Sequence, residues 1–504
     1  MTVVAGVDSS TQSTTVILRD SDSGVVVGRG SAPHTPTFPP LSEQDPNEWW
    51  QAMAAAFAQA RSTSGISAED ISAVSIAAQC HGLVPLDSAG AVIRPAKLWN
   101  DNTSAPELAA LVAKVGAEQW IDLVGSLPPA SFTISKLAWL RLHEPANFDL
   151  LSTVLLPHDY LTWRLTGLTV TDRSDASGTG YYSAPQATYL PQILELVDAS
   201  MDWASALPKV LGPSEPAGIV LPAVAREIGI STAAIVGPGA GDQHASALGL
   251  GAQRGDVVYA FGTSGVVFST HPEPIFDHSG IVNSVADAAG GYLPLVCTLN
   301  AAKVTDLIAR LLGVDHATLE TLALAAPLRD DRPVFAPYID GERTPNRPNA
   351  RGSIAGISSE TSREELALAA VEGVVLGLER GHAAIIDAGV VDSGRILVTG
   401  GASASAAYRQ ILADVTGREV EAFPQSDATA AGAAVQAASV LRGVDVTVIR
   451  DAWAPASVVA ASPRASSYDS VRSHYLALAN FTGLDGWPTD SRQPHAQPHT
   501  ERST

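Results

Sequence analysis

The same strand–turn–strand pattern occurs twice in this chain, once near its beginning and once near its middle. Residues 3–8, VVAGVD, are an apolar run that ends in an acid, and a polar turn at 9–13 leads to a second apolar run at 14–18. Residues 255–270, GDVVYAFGTSGVVFST, repeat this pattern around a small polar turn at 262–265. Each hairpin opens a half in which strands and helices alternate, so the repeat indicates an α/β fold with an internal duplication. Two facing halves would leave a cleft, where ligand sites usually lie.

Both turns have a composition that suits phosphate binding. The first turn, at 9–13, offers several N–H and hydroxyl donors beside Asp8. Backbone N–H groups can hold phosphates, and a neighbouring carboxylate can bind Mg²⁺. Turns rich in serine and threonine are also common without a ligand, so this local pattern leaves both interpretations open.

A glycine-rich segment, GPGAGDQHASALGLG at 237–251, holds one carboxylate at its centre, Asp242. The apolar run 233–236 predicts a strand before it, and residues 245–250 predict a helix after it. Glycines here allow tight backbone packing or positive φ. A lone acid at this junction could be a general base, or it could be the N-cap of the helix, which is an ordinary role for aspartate.

Several other elements follow from local signals in the first half. Asp45 and Pro46 predict the start of a helix that runs to about Arg61. The run 71–82 predicts a buried strand that ends in QCHG. There, Cys80 suits a buried small side chain, and His81 could complete a local hydrogen bond or donate to a substrate hydroxyl.

Between these elements and Asp242 we expect two helices, one strand and one loop. SFTISKLAWLRLHEP predicts an amphipathic helix that Pro145 ends, and residues 153–167 predict a strand, a helix and a glycine stop. The segment 169–182, TVTDRSDASGTGYY, is predicted to be a polar loop.

The second half contains a strand–glycine–helix junction. Residues 395–399 predict a strand, and Gly400 and Gly401 turn the chain into a helix. Such a junction can hold a flat ligand against the backbone, with helix N–H groups towards it, although a simple tight turn would look the same. Helices are expected from about Thr361 and over 427–443, and the polar tail from residue 485 is expected to be disordered.

Composition excludes several classes of function. The 504 residues carry a net charge of −21, which argues against binding to nucleic acid or to an anionic membrane surface. No apolar run approaches the roughly 20 residues of a membrane span, and the first residues do not resemble a signal peptide. With only two cysteines, no disulfide framework is expected. We therefore expect a cytoplasmic protein.

Taken together, these residues resemble a known family, the FGGY carbohydrate kinases, over about residues 3–480. GSIAGI at 352–357, followed by ELALAAVE at 365–372, is similar to the second family signature, and the segment around Lys136 is similar to the first. The resemblance implies a two-domain actin-like ATPase fold, related to ribonuclease H, with the active site in a cleft between the domains. It implies an N-terminal domain over 1–244, a C-terminal domain over 245–484, and a tail over 485–504.

The resemblance also implies an activity. QCHG, LWND at 98–101 and GERTPNRPNARG at 341–352 are similar to family members that phosphorylate D-xylulose to D-xylulose 5-phosphate with ATP and Mg²⁺. It implies Asp242 as the general base, Asp8 near the metal, and a homodimer. The implied substrate-binding residues are Cys80, His81, Asp242 and Gln243. The implied nucleotide-binding residues are Ser10, Thr11, Gln12, Gly262, Thr263, Ser264, Gly400, Gly401, Ala402 and Ser405.

The chain departs from the family pattern at four positions. Ser10 replaces a usual glycine, Thr15 stands where a basic residue is common, Cys80 replaces a frequent methionine, and Thr103 stands where arginine is often found. These changes bear on the fine contacts and the sugar preference. Three alternatives therefore stay open: an FGGY kinase for ribulose, gluconate or glycerol, an actin-like ATPase without a sugar substrate, and a degenerate binding protein.

Overall fold

A computed structural model describes residues 1–424, 427–464, 467–483 and 485. The predicted tail therefore lies outside the described residues except for Asp485, which forms an ion pair with Arg347 at 2.5 Å. No helix in the described part of the chain is long and apolar enough to cross a bilayer.

The first half of the chain contains fifteen strands, most of them short. They are β1 (Val3–Ser9), β2 (Ser13–Asp20), β3 (Val26–Pro33), β4 (Glu43–Gln44), β5 (Ile71–Ala78), β6 (Val84–Leu86), β7 (Ala96–Lys97), β8 (Thr153–Leu155), β9 (Val170–Asp172), β10 (Tyr182–Ser183), β11 (Thr188–Tyr189), β12 (Lys209–Leu211), β13 (Gly218–Ile219), β14 (Ile235–Val236) and β15 (Ala240–Gly241). The strands of the second half that are described are β16 (Val257–Phe261), β17 (Gly265–Ser269), β18 (Asn283–Ala286), β19 (Tyr292–Thr298), β20 (Val334–Ala336), β21 (Ser353–Ala355), β22 (Ile396–Thr399), β23 (Val420–Ala422) and β24 (Val458–Ala461).

Helices connect and cover these strands. In the first half they are α1 (Pro46–Ser64), α2 (Ala105–Val115), α3 (Ala117–Val124), α4 (Thr133–His143), α5 (Pro145–Phe148), α6 (Pro157–Thr166), α7 (Arg173–Ala176), α8 (Pro191–Leu194), α9 (Trp203–Ala206), α10 (Pro222–Ile228) and α11 (Asp242–Gly249). In the second half they are α12 (Ala302–Leu312), α13 (His316–Ala325), α14 (Arg363–Asp387), α15 (Ala406–Thr416), α16 (Ala428–Arg442), α17 (Val446–Trp453) and α18 (Asp469–Ala479), and 3-10 turns lie at Ala68–Asp70 and Gly401–Ala404.

The two large sheets share the order of six strands. Written in the same direction, the first is β3-β2-β1-β5-β14-β13, and the second contains β19-β17-β16-β22-β23-β24. The first sheet also has β15 paired to β5, and the second has β18 beside β19. In each sheet the predicted hairpin, β1–β2 or β16–β17, is extended by a third antiparallel strand, β3 or β19. The first hairpin strand then pairs in parallel with a later strand, β5 or β22. This shared order is what an internal duplication predicts, and the α/β fold class with two similar halves is confirmed.

Helix α16 fits closely against the first sheet and α11 because glycines leave room for it. A Cβ atom on Gly6 of β1 would lie 2.0 Å from the Ala430 carbonyl oxygen, and one on Gly432 would lie 1.8 Å from the Ala245 carbonyl oxygen. Contacts this short exclude any side chain. The close packing brings together the end of β1, the start of α11 and the start of α16, where the site is built.

The predicted polar loop at 169–182 is wrong. The segment instead forms β9, α7 and β10, and Asp172 caps α7 by accepting the N–H groups of Ser174 at 2.7 Å and Asp175 at 3.0 Å. Its polar residues suggested exposure to solvent. Asp172, Ser174 and Asp175 are buried, however, because other segments of the chain provide partners for them.

Candidate active site

The carboxylate of Asp242 lies at the first residue of α11, directly after β15. Gly241 is the N-cap of this helix, so the interpretation of Asp242 as an N-cap is wrong. Its Oδ1 atom instead accepts the Cys80 thiol at 3.3 Å and the Gln243 backbone N–H at 2.7 Å. Burial raises the pKa of Asp242 to about 6. A carboxylate of this kind is mostly ionised at neutral pH and can accept a proton, which are the properties of a general base.

A second carboxylate, that of Asp8 in β1, faces Asp242. Its Oδ1 atom is buried and has no hydrogen-bond partner among the residues that the structure describes. Burial, followed by the charges of Asp242 and Asp427, raises the pKa of Asp8 to about 8. A divalent cation would relieve this repulsion and satisfy the free Asp8 oxygen. The donor set therefore fits Mg²⁺, which is usually bound by one or two carboxylates together with substrate phosphates.

His81 is held firmly in an unusual backbone conformation, with a φ of 63°. Its N–H donates to Asp175 Oδ1 at 3.1 Å, and its carbonyl accepts the Thr133 hydroxyl at 3.1 Å. The imidazole lies against Phe132, with ring centroids 5.0 Å apart. On another side lies Gly178, where a Cβ atom would come within 1.8 Å of the ring. These contacts leave the imidazole little freedom to rotate.

The imidazole of His81 is neutral near pH 7. Burial, and then the positive charges of Lys136 and Arg343, lower its pKa well below the usual range. A neutral imidazole has one donor and one acceptor, which suits a sugar hydroxyl. The structure brings the four predicted sugar-binding residues together: Cys80 Sγ lies within 4.8 Å of a His81 ring nitrogen and donates to Asp242, which also accepts the Gln243 N–H. We call Cys80, His81, Asp242 and Gln243 the polar wall.

A loop of the second half reaches this wall. Glu342 anchors the loop by accepting the Asn300 side-chain amide at 2.8 Å. The next residue, Arg343, donates to Ser131 Oγ of the first half at 3.1 Å. This contact brings a positive charge from the second half close to His81, and the two halves therefore meet at the wall.

A buried charged cluster lies behind His81, and sequence reasoning missed its role. His158 Nε2 lies 3.1 Å from Asp159 Oδ1, 3.3 Å from Asp172 Oδ1 and 3.7 Å from Asp175 Oδ2. Burial alone would lower the pKa of His158, but the three carboxylates raise it to about 9. The sequence segments 157–160, PHDY, and 174–178, SDASG, contain three of these residues, yet neither segment indicates that the two pack together.

The first predicted phosphate turn is ordered by bonds within the first half. The N–H and the hydroxyl of Ser10 both donate to the Ser13 carbonyl at 3.0 Å. Thr11 Oγ1 donates to Gln79 Oε1 at 3.2 Å and accepts Trp99 Nε1 at 3.0 Å. Ser10 has no positive φ, so serine replaces the usual glycine without backbone strain.

Two residues close to this turn complete its description. Gln12 is exposed at the turn, with its carbonyl accepting the His34 N–H at 2.8 Å. Thr15 Oγ1 lies 3.2 Å from Ser31 Oγ on β3, so this position supplies no positive charge.

The second predicted turn is tied to the start of α12. Gly262 N–H donates to the Ser264 carbonyl at 3.0 Å, while the Ala301 N–H donates to the Thr263 carbonyl at 3.2 Å. Thr263 is exposed, and Gly262 and Ser264 are half-buried, so the turn borders an open space.

The glycine junction lies beside this second turn because β16 and β22 are parallel neighbours. Gly400 has a φ of 87°, and a Cβ atom there would lie 2.6 Å from the Phe261 carbonyl oxygen. A Cβ atom on Gly401 would meet no described atom within 4 Å. The chain then forms the 3-10 turn Gly401–Ala404 and enters α15, so the predicted order of strand, glycine pair and helix is confirmed, with this short turn before the helix. Ala402, within this turn, and Ser405, directly after it, are half-buried.

Known proteins share this architecture over nearly the whole chain. The chain matches the N-terminal domain of the FGGY family of carbohydrate kinases over residues 3–249 and the C-terminal domain of that family over residues 257–441. It is 40% identical over 483 residues to the xylulose kinase of Streptomyces coelicolor, which covers 96% of this chain and 95% of that protein.

Solved structures agree with this match. The structure of a xylulose kinase from Bifidobacterium adolescentis is 36% identical and superimposes with a TM-score of 0.77, covering 90% of this chain and 99% of that one. A gluconate kinase from Lactobacillus acidophilus is 23% identical with a TM-score of 0.86, covering 95% of this chain and 98% of that one. The second likeness concerns the fold alone.

Proposed function

The chain belongs to the FGGY family of carbohydrate kinases, and from this premise we propose that it transfers the terminal phosphoryl group of ATP to D-xylulose, giving D-xylulose 5-phosphate. The observation that carries the choice of sugar is the 40% identity to a xylulose kinase over 96% of the chain. The polar wall around Asp242 supports a hydroxylated substrate, because it offers donors and acceptors at the meeting point of the two halves.

Asp242 is proposed as the general base. A sugar hydroxyl is a poor nucleophile, and phosphoryl transfer needs alignment, charge neutralisation and removal of a proton. With a pKa of about 6, Asp242 can accept the proton of the C5 hydroxyl as the oxygen attacks phosphorus. Cys80, His81 and Gln243 would hold the other hydroxyls and so point C5 at the phosphate.

ATP and Mg²⁺ are proposed to occupy the side of the cleft that holds the two turns. The Ser10 and Gly262 N–H groups already donate within their own turns, so phosphate oxygens would be held by the N–H groups of the other turn residues, Thr11, Gln12, Thr263 and Ser264. The junction from Gly400 and Gly401 to Ala402 and Ser405 would hold the adenosine. Asp8 would bind Mg²⁺ directly or through water. When bound, the cation would offset the negative charge that the phosphates carry.

Two coarser proposals accompany this function. The enzyme is proposed to act in the cytoplasm, where ATP is available. It is also proposed to form a homodimer, which light scattering of the purified protein would test.

The experiment that tests the function is a substrate panel. ATP consumption is measured with D-xylulose, ribulose, gluconate, glycerol and no sugar, and the phosphorylated carbon is identified by NMR. We expect the highest kcat/KM with D-xylulose and a product phosphorylated at C5. A higher kcat/KM with another member of the panel would move the substrate within the family. Rapid ATP hydrolysis that no sugar stimulates would instead support an ATPase without a sugar substrate.

A further inference from the structure

The buried cluster behind His81 makes an unusually direct contact with the proposed sugar-binding ring. Asp175 Oδ1 accepts the His81 backbone N–H at 3.1 Å and also lies 3.1 Å from Nδ1 of the same residue. The approach to Nδ1 does not have the geometry of a hydrogen bond, so it is a close contact between the carboxylate and the ring nitrogen. Asp175 therefore fixes the strained backbone of His81 and places a carboxylate oxygen against its imidazole.

Asp175 is itself fixed from the other side. Its side chain is fully buried, and its Oδ2 atom lies 3.7 Å from His158 Nε2. Its backbone N–H donates to Asp172 Oδ1 at 3.0 Å. Burial raises the pKa of Asp175 to about 6 although the positive charge of His158 opposes this shift, so the carboxylate is mostly ionised at pH 7. An ionised carboxylate only accepts hydrogen bonds. An unprotonated Nδ1 would place its lone pair 3.1 Å from that carboxylate oxygen, so this contact favours the tautomer in which Nδ1 carries the proton.

The other ring nitrogen is the one left for a ligand. Nδ1 of His81 is enclosed, whereas 14% of the side chain is exposed, so the accessible part of the ring includes Nε2. Nε2 has no partner among the residues that the structure describes. In a neutral imidazole with its proton on Nδ1, Nε2 is an acceptor.

We propose that Asp175, supported by His158, is a positioning residue that fixes His81 in the tautomer with its proton on Nδ1, so that Nε2 accepts a hydrogen bond from a xylulose hydroxyl. This inference deepens the proposed function and rests on it. Asp242 and His81 then have different roles. Asp242 removes the proton of one hydroxyl, while His81 accepts a hydrogen bond from another hydroxyl and keeps that hydroxyl in place.

Asp159 provides a matched control within the same cluster. Its carboxylate is also fully buried and lies 3.1 Å from His158 Nε2, and its Oδ2 atom accepts the Leu156 N–H at 2.8 Å. Among the described residues, no hydrogen bond or ion pair joins Asp159 to His81. Asp175→Asn and Asp159→Asn therefore remove the same charge from the same histidine. Only the first change weakens the acceptor that faces His81.

The first test is kinetic and uses both variants of the full-length enzyme. For Asp175→Asn we expect kcat/KM for xylulose to fall by about 10- to 100-fold, the range for loss of one charge-assisted hydrogen bond, while KM for ATP changes by less than about twofold. For Asp159→Asn we expect a loss in kcat/KM for xylulose of less than about threefold. Equal losses in the two variants would show that the cluster has only a structural role and would overturn the proposal.

The second test needs no substrate and uses the native protein. ¹⁵N NMR of histidine-labelled enzyme at pH 7, with His81 assigned from its missing signal in His81→Gln, reports which ring nitrogen carries the proton. We expect the proton on Nδ1, the less populated tautomer in a free neutral histidine. A proton on Nε2, or on both nitrogens, would overturn the proposal even if Asp175→Asn fails to fold. A native enzyme that does not phosphorylate xylulose would instead refute the proposed function, and the NMR result would still decide the role of Asp175.

Discussion

Replacing Asp242 by asparagine tests the proposed base with the smallest structural change. The amide keeps an oxygen that can accept the Gln243 N–H, now at 2.7 Å from Oδ1, so the start of α11 should keep its structure. What the change removes is basicity. With a pKa of about 6, roughly nine-tenths of the native carboxylates are ionised at pH 7 and can accept a proton.

The expected loss follows from that role. Loss of a general base costs about 10²- to 10⁴-fold in kcat, equivalent to about 3–5 kcal/mol of transition-state stabilisation. Coupled assays of ADP release give kcat, calorimetry gives the affinity for xylulose, and thermal unfolding checks the fold. We expect Asp242→Asn to bind xylulose within about threefold of the native affinity, because the hydroxyl contacts remain.

The pH profile provides an internal control for the same variant. Because the pKa of Asp242 is raised from its usual value to about 6, native kcat/KM should fall as pH drops below about 6 and level off above it. The residual activity of Asp242→Asn should lack this acidic limb. Near-native turnover by the variant, or an unchanged acidic limb, would refute the assignment of Asp242 as the base.

Three further predictions concern the rest of the site. Asp8→Asn should lower kcat by about 10²-fold or more and raise the Mg²⁺ concentration needed for half-maximal rate, since a cation ligand is lost; an unchanged Mg²⁺ dependence in a titration would contradict this. Gly401→Ala should raise KM for ATP without lowering the melting temperature, because its Cβ atom meets open space, and Gly212→Ala, where the nearest atom is 4.0 Å away, is the control that should leave KM unchanged. His158→Gln should destabilise the fold most below pH 6.5. The pKa of His158 is raised to about 9, so the stability that its positive charge adds is fully present below its ordinary pKa and is lost as pH rises through 9. In urea unfolding, the loss of unfolding free energy in the variant should therefore shrink by about 3 kcal/mol over that range. A loss that does not depend on pH would contradict the ion-pair account.

The hairpins and the helix after Asp242 could be predicted from sequence because their signals are local. A short apolar run, a polar turn and a second apolar run specify a hairpin wherever they occur, and Asp45 and Pro46 begin α1 as expected, with Asp45 accepting the Asn47 N–H at 3.0 Å. The junction at Gly400 could also be predicted, because a glycine pair after an apolar run is a local signal. In the structure Gly400 has a φ of 87°, a conformation that favours glycine.

The buried cluster could not be predicted for a physical reason. Polar residues such as Asp172 and Asp175 normally indicate a solvated loop, and burying them is favourable only because His158 comes from a separate helix. That partnership depends on long-range packing, which no local pattern encodes. The N-cap alternative for Asp242 had a different origin. Aspartate at a helix start is compatible with the cap and with the next position, and the structure distinguishes the two because Gly241 is the N-cap.

The central claim is that Asp242 lies within reach of the hydroxyl that is phosphorylated. A crystal structure of the enzyme with D-xylulose, Mg²⁺ and a non-hydrolysable ATP analogue measures that distance directly. We predict the C5 oxygen within about 3.2 Å of an Asp242 carboxylate oxygen and opposite the terminal phosphate. A closed complex in which that oxygen lies against another residue, with Asp242 out of hydrogen-bonding range, would contradict the account.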